Sequence, residues 1–365
     1  MRIALMTSAK GWRGSGASYA KLARGLDRRG HLAQLITTAS GLTSQFQKEG
    51  LAVIQIPGRN TGPREAAALF GTLRRLGAEA IVVDTPRDLR LAAWATLVYR
   101  AGIVYRYNLN YRRPRIHLAD RLYSSRVAAC VFQSQFIQDE ARRHEPWVAR
   151  VPGYRIPNGY DTARFAPRAD AGRAFRREWD IPDAGQVVLT AAKLTHNKGH
   201  EVAIDALHRV QQRGIPLIYV VCGDGPLSGE MRASATARGV PARFTGRLEI
   251  EQMIAALSAA DLVLHPSLQE IFPNAVGEAM SCARAVVAAD DGGTGELLGR
   301  DGRSGRLVPP NDPEAMAVTV GTLLLDSELR MELGRAARQR IQAEFPLERM
   351  IDGYETALRQ VLDSR

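Results

Sequence analysis

Short apolar runs alternate with helix-patterned segments along this chain, and the alternation occurs twice. In the first half, strands are expected at Arg2–Met6, His31–Thr37, Ala52–Ile56, Ala80–Asp84, Gly102–Tyr107 and Ala128–Phe132. Helical patterns lie between them at Ala17–Arg29, 64–76, 86–100, 116–126 and 135–145. Such alternation builds a parallel sheet with helices on both faces. It breaks at Ile156-Pro157-Asn158-Gly159-Tyr160-Asp161 and Phe165-Ala166-Pro167, where Pro and Gly gather as at a domain junction. It then restarts with strands at Val187–Ala192, Leu217–Cys222, Ala242–Phe244, Leu262–His265, Ala285–Ala289 and Arg306–Val308. From about Pro313 the chain is helical, with Pro346 separating two long helices. The fold class is α/β, with two doubly wound domains expected at 1–167 and 168–346.

The 365 residues are too many for one ordinary core. No stretch approaches the ~18 uninterrupted apolar residues of a spanning helix. The opening Met1-Arg2-Ile3-Ala4-Leu5-Met6 reads as a first strand rather than a secretory signal. Cys130, Cys222 and Cys282 are far apart in apolar segments, without metal spacing. That suits buried thiols in a cytoplasmic protein.

The charge is uneven. Residues 1–167 hold 26 Lys and Arg against 11 Asp and Glu, while 168–365 hold 23 against 27. The first half therefore carries +15 and the second −4, giving the chain its +11. A basic half of this size suggests an anionic partner, whether nucleic acid, a phosphorylated substrate or a membrane surface.

Chemistry-bearing residues cluster where strands end. Glu270 lies on the loop leaving the 262–265 strand, and Glu278 is expected in the first turn of the next helix. In an open parallel sheet ligands bind outside the carboxyl ends of the strands. Two carboxylates around a helix start suit a ligand bearing both hydroxyls and phosphate. Of five lysines, the only two in the second half are Lys193 and Lys198, on one loop between a strand and a helix. Their compact charges suit a diphosphate. Gly223-Asp224-Gly225-Pro226, Gly246-Arg247 and Asp291-Gly292-Gly293 each close a strand. Near the N-terminus, Gly14-Ser15-Gly16 joins the first strand to the first helix. It lacks a third glycine in register, and Thr37-Thr38 stand where a dinucleotide-binding acid would be, so NAD binding is not indicated.

Taken in order, these motifs resemble glycosyltransferase family 4, the retaining GT-B enzymes. The likeness runs through Lys193, Lys198-Gly199-His200, Gly223-Asp224-Gly225-Pro226, Gly246-Arg247, Pro266-Ser267, Glu270, Phe272-Pro273-Asn274, Glu278-Ala279-Met280 and Gly292-Gly293. The first half agrees through Arg29-Gly30-His31 and Ile156-Pro157-Asn158-Gly159. The resemblance implies two Rossmann-like domains facing a central cleft, with a final helix near 347–365 packing back on the first. It implies a retaining, metal-independent hexosyl transfer from a nucleoside-diphosphate sugar, with no cofactor. Lys198 and Lys193 would neutralise the diphosphate, Glu278 would bind the ribose, and Glu270 would hold the sugar. Phe272, Pro273, Asn274, Gly14, Ser15, Gly16, Gly223, Arg247 and Gly293 would complete the donor site.

One departure concerns the first-domain histidine common in the family, for which Asn108 or Asn110 would substitute. The acceptor is expected to be an anionic saccharide or lipid-linked glycan, as in lipopolysaccharide or other cell-envelope synthesis, met by Asn108, Asn110, Arg112 and Arg113. The basic half would touch the inner face of the cytoplasmic membrane. Rival readings are a GT-B relative that epimerises or hydrolyses the nucleotide sugar, and a basic nucleic-acid-binding protein. The latter lacks any recognition motif.

Overall fold

The structure, a computed structural model, describes residues 1–9, 14–58, 62–108 and 123–364. It divides into Met1–Gly159 with Leu347–Arg365, and Tyr160–Pro346. Within the turn-rich junction, Asn158 and Gly159 thus belong to the first unit and Tyr160 to the second.

In the first unit, β1 (Arg2–Thr7), β2 (Leu32–Thr37), β3 (Val53–Gln55), β4 (Ala80–Val83), β5 (Gly102–Arg106), β6 (Val127–Phe132) and β7 (Gly153–Arg155) form a parallel sheet. Its order is β3-β2-β1-β4-β5-β6-β7. Every residue of β4 and β5 is buried, as expected of strands covered on both faces. The helices are α1 (Gly14–Arg28), α2 (Ser40–Lys48), α3 (Pro63–Leu76), α4 (Pro86–Ala95) and α5 (Gln135–His144).

Two differences from expectation matter for function. Helix α1 begins at Gly14 rather than Ala17, so Gly14, Ser15 and Gly16 form its first turn instead of a loop. Helix α4 stops at Ala95 rather than running to residue 100. The helix expected at 116–126 falls largely outside the described residues.

In the second unit, β8 (Val187–Ala191), β9 (Ile218–Cys222), β10 (Ala242–Gly246), β11 (Leu262–His265), β12 (Ala285–Ala289) and β13 (Arg306–Val308) form another parallel sheet. Its order is β10-β9-β8-β11-β12-β13. Alternate residues feed opposite cores: Val187 and Leu189 enter one, Val188 the other. The helices are α6 (Ala169–Glu178), α7 (His200–Gln212), α8 (Ser228–Ala237), α9 (Ile250–Ala259), α10 (Asn274–Ser281), α11 (Thr294–Leu298), α12 (Pro313–Leu325) and α13 (Ser327–Glu344).

The last helix, α14 (Leu347–Asp363), belongs to the first unit. Met350, Ile351, Tyr354, Ala357, Leu358 and Val361 make a buried stripe at helical spacing. Ile351 fills the space left by Gly25 of α1, where an added Cβ would lie 2.4 Å away. Arg29 holds the helix from outside through Glu348, Asp352 and Glu355.

Candidate active site

Strands β8 and β11 are sheet neighbours, yet their following helices serve opposite cores: α7 residues Ala203 and Ile204 enter one, and α10 residues Val276 and Met280 the other. The chain therefore parts between them, which is where doubly wound sheets bind ligands. Three loops meet at this point.

The first leaves β8. Leu194 is fully buried and anchors it, its N–H donating to the Asp224 carbonyl at 3.1 Å. The loop turns at Gly199, whose φ of +65° and closeness to the Pro266 carbonyl (2.2 Å from an added Cβ) require glycine. The second loop leaves β11, where the Leu268 N–H donates to the Asn197 carbonyl at 2.8 Å. The third leaves β12. Gly293 N–H donates to the Glu270 carbonyl at 2.8 Å, and at Gly292 (φ +59°) an added Cβ would lie 1.9 Å from that oxygen. The glycines here admit the backbone of Glu270.

Glu270 is thus fixed by its backbone before its side chain acts. Its Oε1 accepts from Lys198 Nζ at 2.5 Å, and His265 Nε2 lies 3.3 Å from the same oxygen. Burial opposes its charge, but His265 and Lys198 outweigh burial and hold the carboxyl at about 2. His265 is 3% exposed, as the last residue of β11. Sequence reasoning missed it because a histidine ending an apolar strand reads as core; its signal was its place five residues before Glu270. Nearby, His200 lies against the Lys193 carbonyl at 3.2 Å, and burial lowers its imidazole to about 4.

Lys193 is exposed on the first loop. Gly223 follows β9, where an added Cβ would lie 2.0 Å from the Ala192 carbonyl, and its N–H donates to Gly246. Arg247 is exposed just beyond β10. Phe272 is buried edge-on against Phe345 at 5.4 Å, and the Pro273 carbonyl accepts from Tyr160 Oη at 3.4 Å. Asn274 opens α10, whose first turn has neither a side-chain cap nor an acid. Glu278 therefore lies in the second turn, not the first as expected. Burial raises the Tyr160 phenol, and the charges of Glu278 and Glu270 raise it further.

In the first unit the corresponding parting lies between β1 and β4. Asp84, 1% exposed, sits there beside Ser15 and Thr7, with Arg106 Nη1 at 4.0 Å. Burial raises its carboxyl. Asn108 Nδ2 donates to the Asp84 carbonyl at 2.8 Å, and Arg106 Nη2 donates to Asn158 at 3.0 Å. Gly14 is exposed and Gly16 buried on α1. Asp84 was not singled out from sequence, although a carboxylate ending a buried strand was its signal. Asn110, Arg112 and Arg113 lie outside the described residues.

Residues 12–164 match the family model "Glycosyltransferase Family 4", and residues 173–340 match "Glycosyl transferases group 1". The chain belongs to the GT-B glycosyltransferases of group 1 and family 4. It is 36% identical over 211 residues to a D-inositol 3-phosphate glycosyltransferase of Salinispora tropica, covering 54% of this chain and 43% of that one. It is 29% identical over 288 residues to a GDP-mannose-dependent alpha-(1-6)-phosphatidylinositol monomannoside mannosyltransferase of Mycolicibacterium smegmatis, covering 76% and 69%. The chain spans about half the length of several curated relatives it matches. Among solved structures, Anabaena HepE in complex with UDP-glucose aligns with a TM-score of 0.84 at 20% identity, covering 100% of this chain and 99% of that one. The GT-B family accounts for two parallel sheets of this topology in one chain.

Proposed function

We propose that this family member moves a hexose from a nucleoside-diphosphate sugar to an anionic saccharide or lipid-linked acceptor, with retention of configuration and without a metal ion. The observation that carries the reading is the meeting of Lys198 and Glu270 at the β8/β11 parting, on loops that glycines bring together. Lys198, with exposed Lys193 on the same loop, supplies positive charge for the diphosphate as it leaves. The uncapped first turn of α10 adds backbone N–H groups for an anion. Glu270, ionised at neutral pH, accepts from sugar hydroxyls, and Glu278 accepts from ribose. Phe272 and Pro273 fix the backbone before α10, and Gly223, Arg247 and Gly293 complete the proposed donor surface of the second unit.

Two likenesses support this reading: HepE's structure holds UDP-glucose, and the Salinispora relative is named for a phosphorylated acceptor. The acceptor class rests on the +15 of residues 1–167. Synthesis of lipopolysaccharide or another cell-envelope glycan is the proposed setting, with the basic half near an anionic membrane. Asn108, Asn110, Arg112 and Arg113 are the proposed acceptor contacts.

A thermal-shift panel of UDP-, GDP-, ADP- and TDP-sugars tests donor binding, since a ligand that binds only the native state stabilises it. Sugar transfer to an added acceptor is then expected. Stabilisation followed only by donor hydrolysis or epimerisation would replace the transferase reading, and no stabilisation by any donor would remove it.

A further inference from the structure

We propose that the amino-terminal edge of the first unit's sheet docks on an anionic lipid bilayer through Trp94, Leu97 and Val98. This gives the membrane part of the reading above a surface, and it does not depend on sugar transfer. Segment 96–101 connects the end of α4 to Gly102, the first residue of β5. It therefore lies at the edge where strands begin, opposite the edge that carries Asp84 and Asn108.

The exposures are unusual for such side chains. Trp94 is 44% exposed, Leu97 51% and Val98 77%, all within five residues. The helix ends at Ala95, so Leu97 and Val98 are presented on a turn rather than on a buried stripe. Trp94 Nε1 donates to Tyr123 Oη at 3.2 Å, and the two rings lie 6.5 Å apart. A satisfied indole N–H beside a solvent-facing ring suits the boundary between headgroups and acyl chains.

Among the described residues, the two segments that form the patch carry basic charge only, and Glu79, beside Gly102 on the same edge, is paired with Arg2. Neither 89–108 nor 123–126 contains an acidic residue, and Arg100 and Arg126 flank the turn, both exposed. Arg126 is oriented by donating to the Thr96 carbonyl. Arg74 and Arg75 close α3, whose Phe70 packs edge-on against Tyr99 at 6.3 Å. A second exposed apolar group, Val318, Leu325 and Met331, lies in a stretch with Asp326, Glu328 and Glu332. Anionic lipid would repel that one and attract the first.

A second copy of the chain fits less well. Three apolar side chains fall far short of the roughly 20–30 residues a side of a stable interface. They suffice for shallow insertion when basic residues add several-fold attraction apiece.

The test is co-sedimentation of the full chain with vesicles of equal phosphatidylglycerol and phosphatidylcholine, and with phosphatidylcholine alone. Binding to the anionic vesicles, weakened by salt, is expected. The double variant Leu97→Glu/Val98→Glu should lose about tenfold or more in partition, since two apolar side chains no longer enter the bilayer. Arg100→Glu should lose several-fold. Brominated lipid should quench wild-type fluorescence, and Trp94→Phe should remove the quenched component. Melting temperatures confirm that the variants fold, and Arg100→Glu and Trp94→Phe keep the test open should the double variant not.

No binding by the wild-type chain, or equal binding by these folded variants, overturns the proposal. A wild-type dimer that the double variant splits would make this face an interface between copies and would also overturn it. Vesicle binding is read without donor or acceptor, so failure here and failure of the transferase reading are separate results.

Discussion

Lys198 Nζ and Glu270 Oε1 lie 2.5 Å apart, joining two loops that leave neighbouring strands far apart in sequence. The pair places a cation and an acceptor at one point of the sheet edge. Lys198→Ala removes the cation and leaves Glu270 with His265 alone. Sugar transfer should fall by about 2–3 kcal/mol in kcat/KM, the scale for losing one electrostatic stabiliser. Steady-state kinetics with saturating acceptor measure this, and near-wild-type turnover would argue against the assigned role.

Glu270 is ionised over the whole neutral range, since its neighbours hold it at about 2. A depressed carboxyl adds stability above its unfolded pKa and loses it as pH falls through the folded value. Glu270→Gln should therefore lower the melting temperature by a constant amount from pH 5 to 8, and by less between about pH 4 and 2. Melting curves across that range decide the point. The same ionisation means that Glu270 does not shape the pH–activity profile near neutrality.

His265 Nε2 faces Glu270 Oε1 from the end of β11. With Lys198 and His265 both at Oε1, the proposed role of Glu270 toward sugar hydroxyls falls to its second carboxylate oxygen. His265→Leu removes the 3.3 Å contact with Oε1 and should lower kcat/KM by about tenfold, or about 1.4 kcal/mol. His265→Gln keeps an N–H donor and should recover most of the loss. Equal kinetics for the His265→Leu variant and the wild-type protein across pH 6–9 would leave the contact without a role.

Gly292 and Gly71 predict opposite outcomes for the same substitution. At Gly292, φ is +59° and a Cβ would meet the Glu270 carbonyl. Gly292→Ala should destabilise by about 2 kcal/mol or more through strain and collision. Gly71 lies within α3 with nothing within 4 Å of an added Cβ. Gly71→Ala should stabilise by roughly 0.5–1 kcal/mol. Paired denaturant titrations test both.

The alternation of strands and helices was legible because buried parallel strands are apolar throughout, as at Ala80–Val83 and Ala285–Ala289. Helix α2 was not, since Ser40, Gly41, Thr43 and Ser44 favour helices poorly; burial of Leu42 and Phe46 holds it. The lysine pair was legible from composition, because a chain so rich in arginine makes lysine conspicuous. His265, Asp84 and Asp88 were not, because their meaning comes from partners: Thr7, Ser8 and Arg106 on or beside neighbouring strands for the aspartates, and Glu270 on the same loop for His265. Asp84 read as a strand end and His265 stood five residues before Glu270, but neither place showed that Arg106 or the carboxylate would face it.

Asp88 offers a pH test of that buried network. It lies fully buried in the first turn of α4, where its Oδ2 accepts from the Ser8 N–H at 3.0 Å and from Thr85 Oγ1 at 2.6 Å. Burial raises its carboxyl most and the charge of Asp84 raises it further, against those hydrogen bonds, to about 7. A raised folded pKa means that the native state holds a proton which the unfolded chain releases near its ordinary value of about 4. The stability this contributes is present below about pH 4 and is lost as pH rises through 7, at no more than about 1.4 kcal/mol per pH unit. Asp88→Asn keeps the accepting oxygen and cannot ionise. The variant's melting temperature relative to wild type should therefore climb from pH 5 to 8. Glu270 and Glu355, both held at about 2, titrate below this window and cancel in the comparison. A difference that stays flat over pH 5–8 would mean that Asp88 does not titrate in this window, against the balance of burial, Asp84 and the Ser8 and Thr85 hydrogen bonds described.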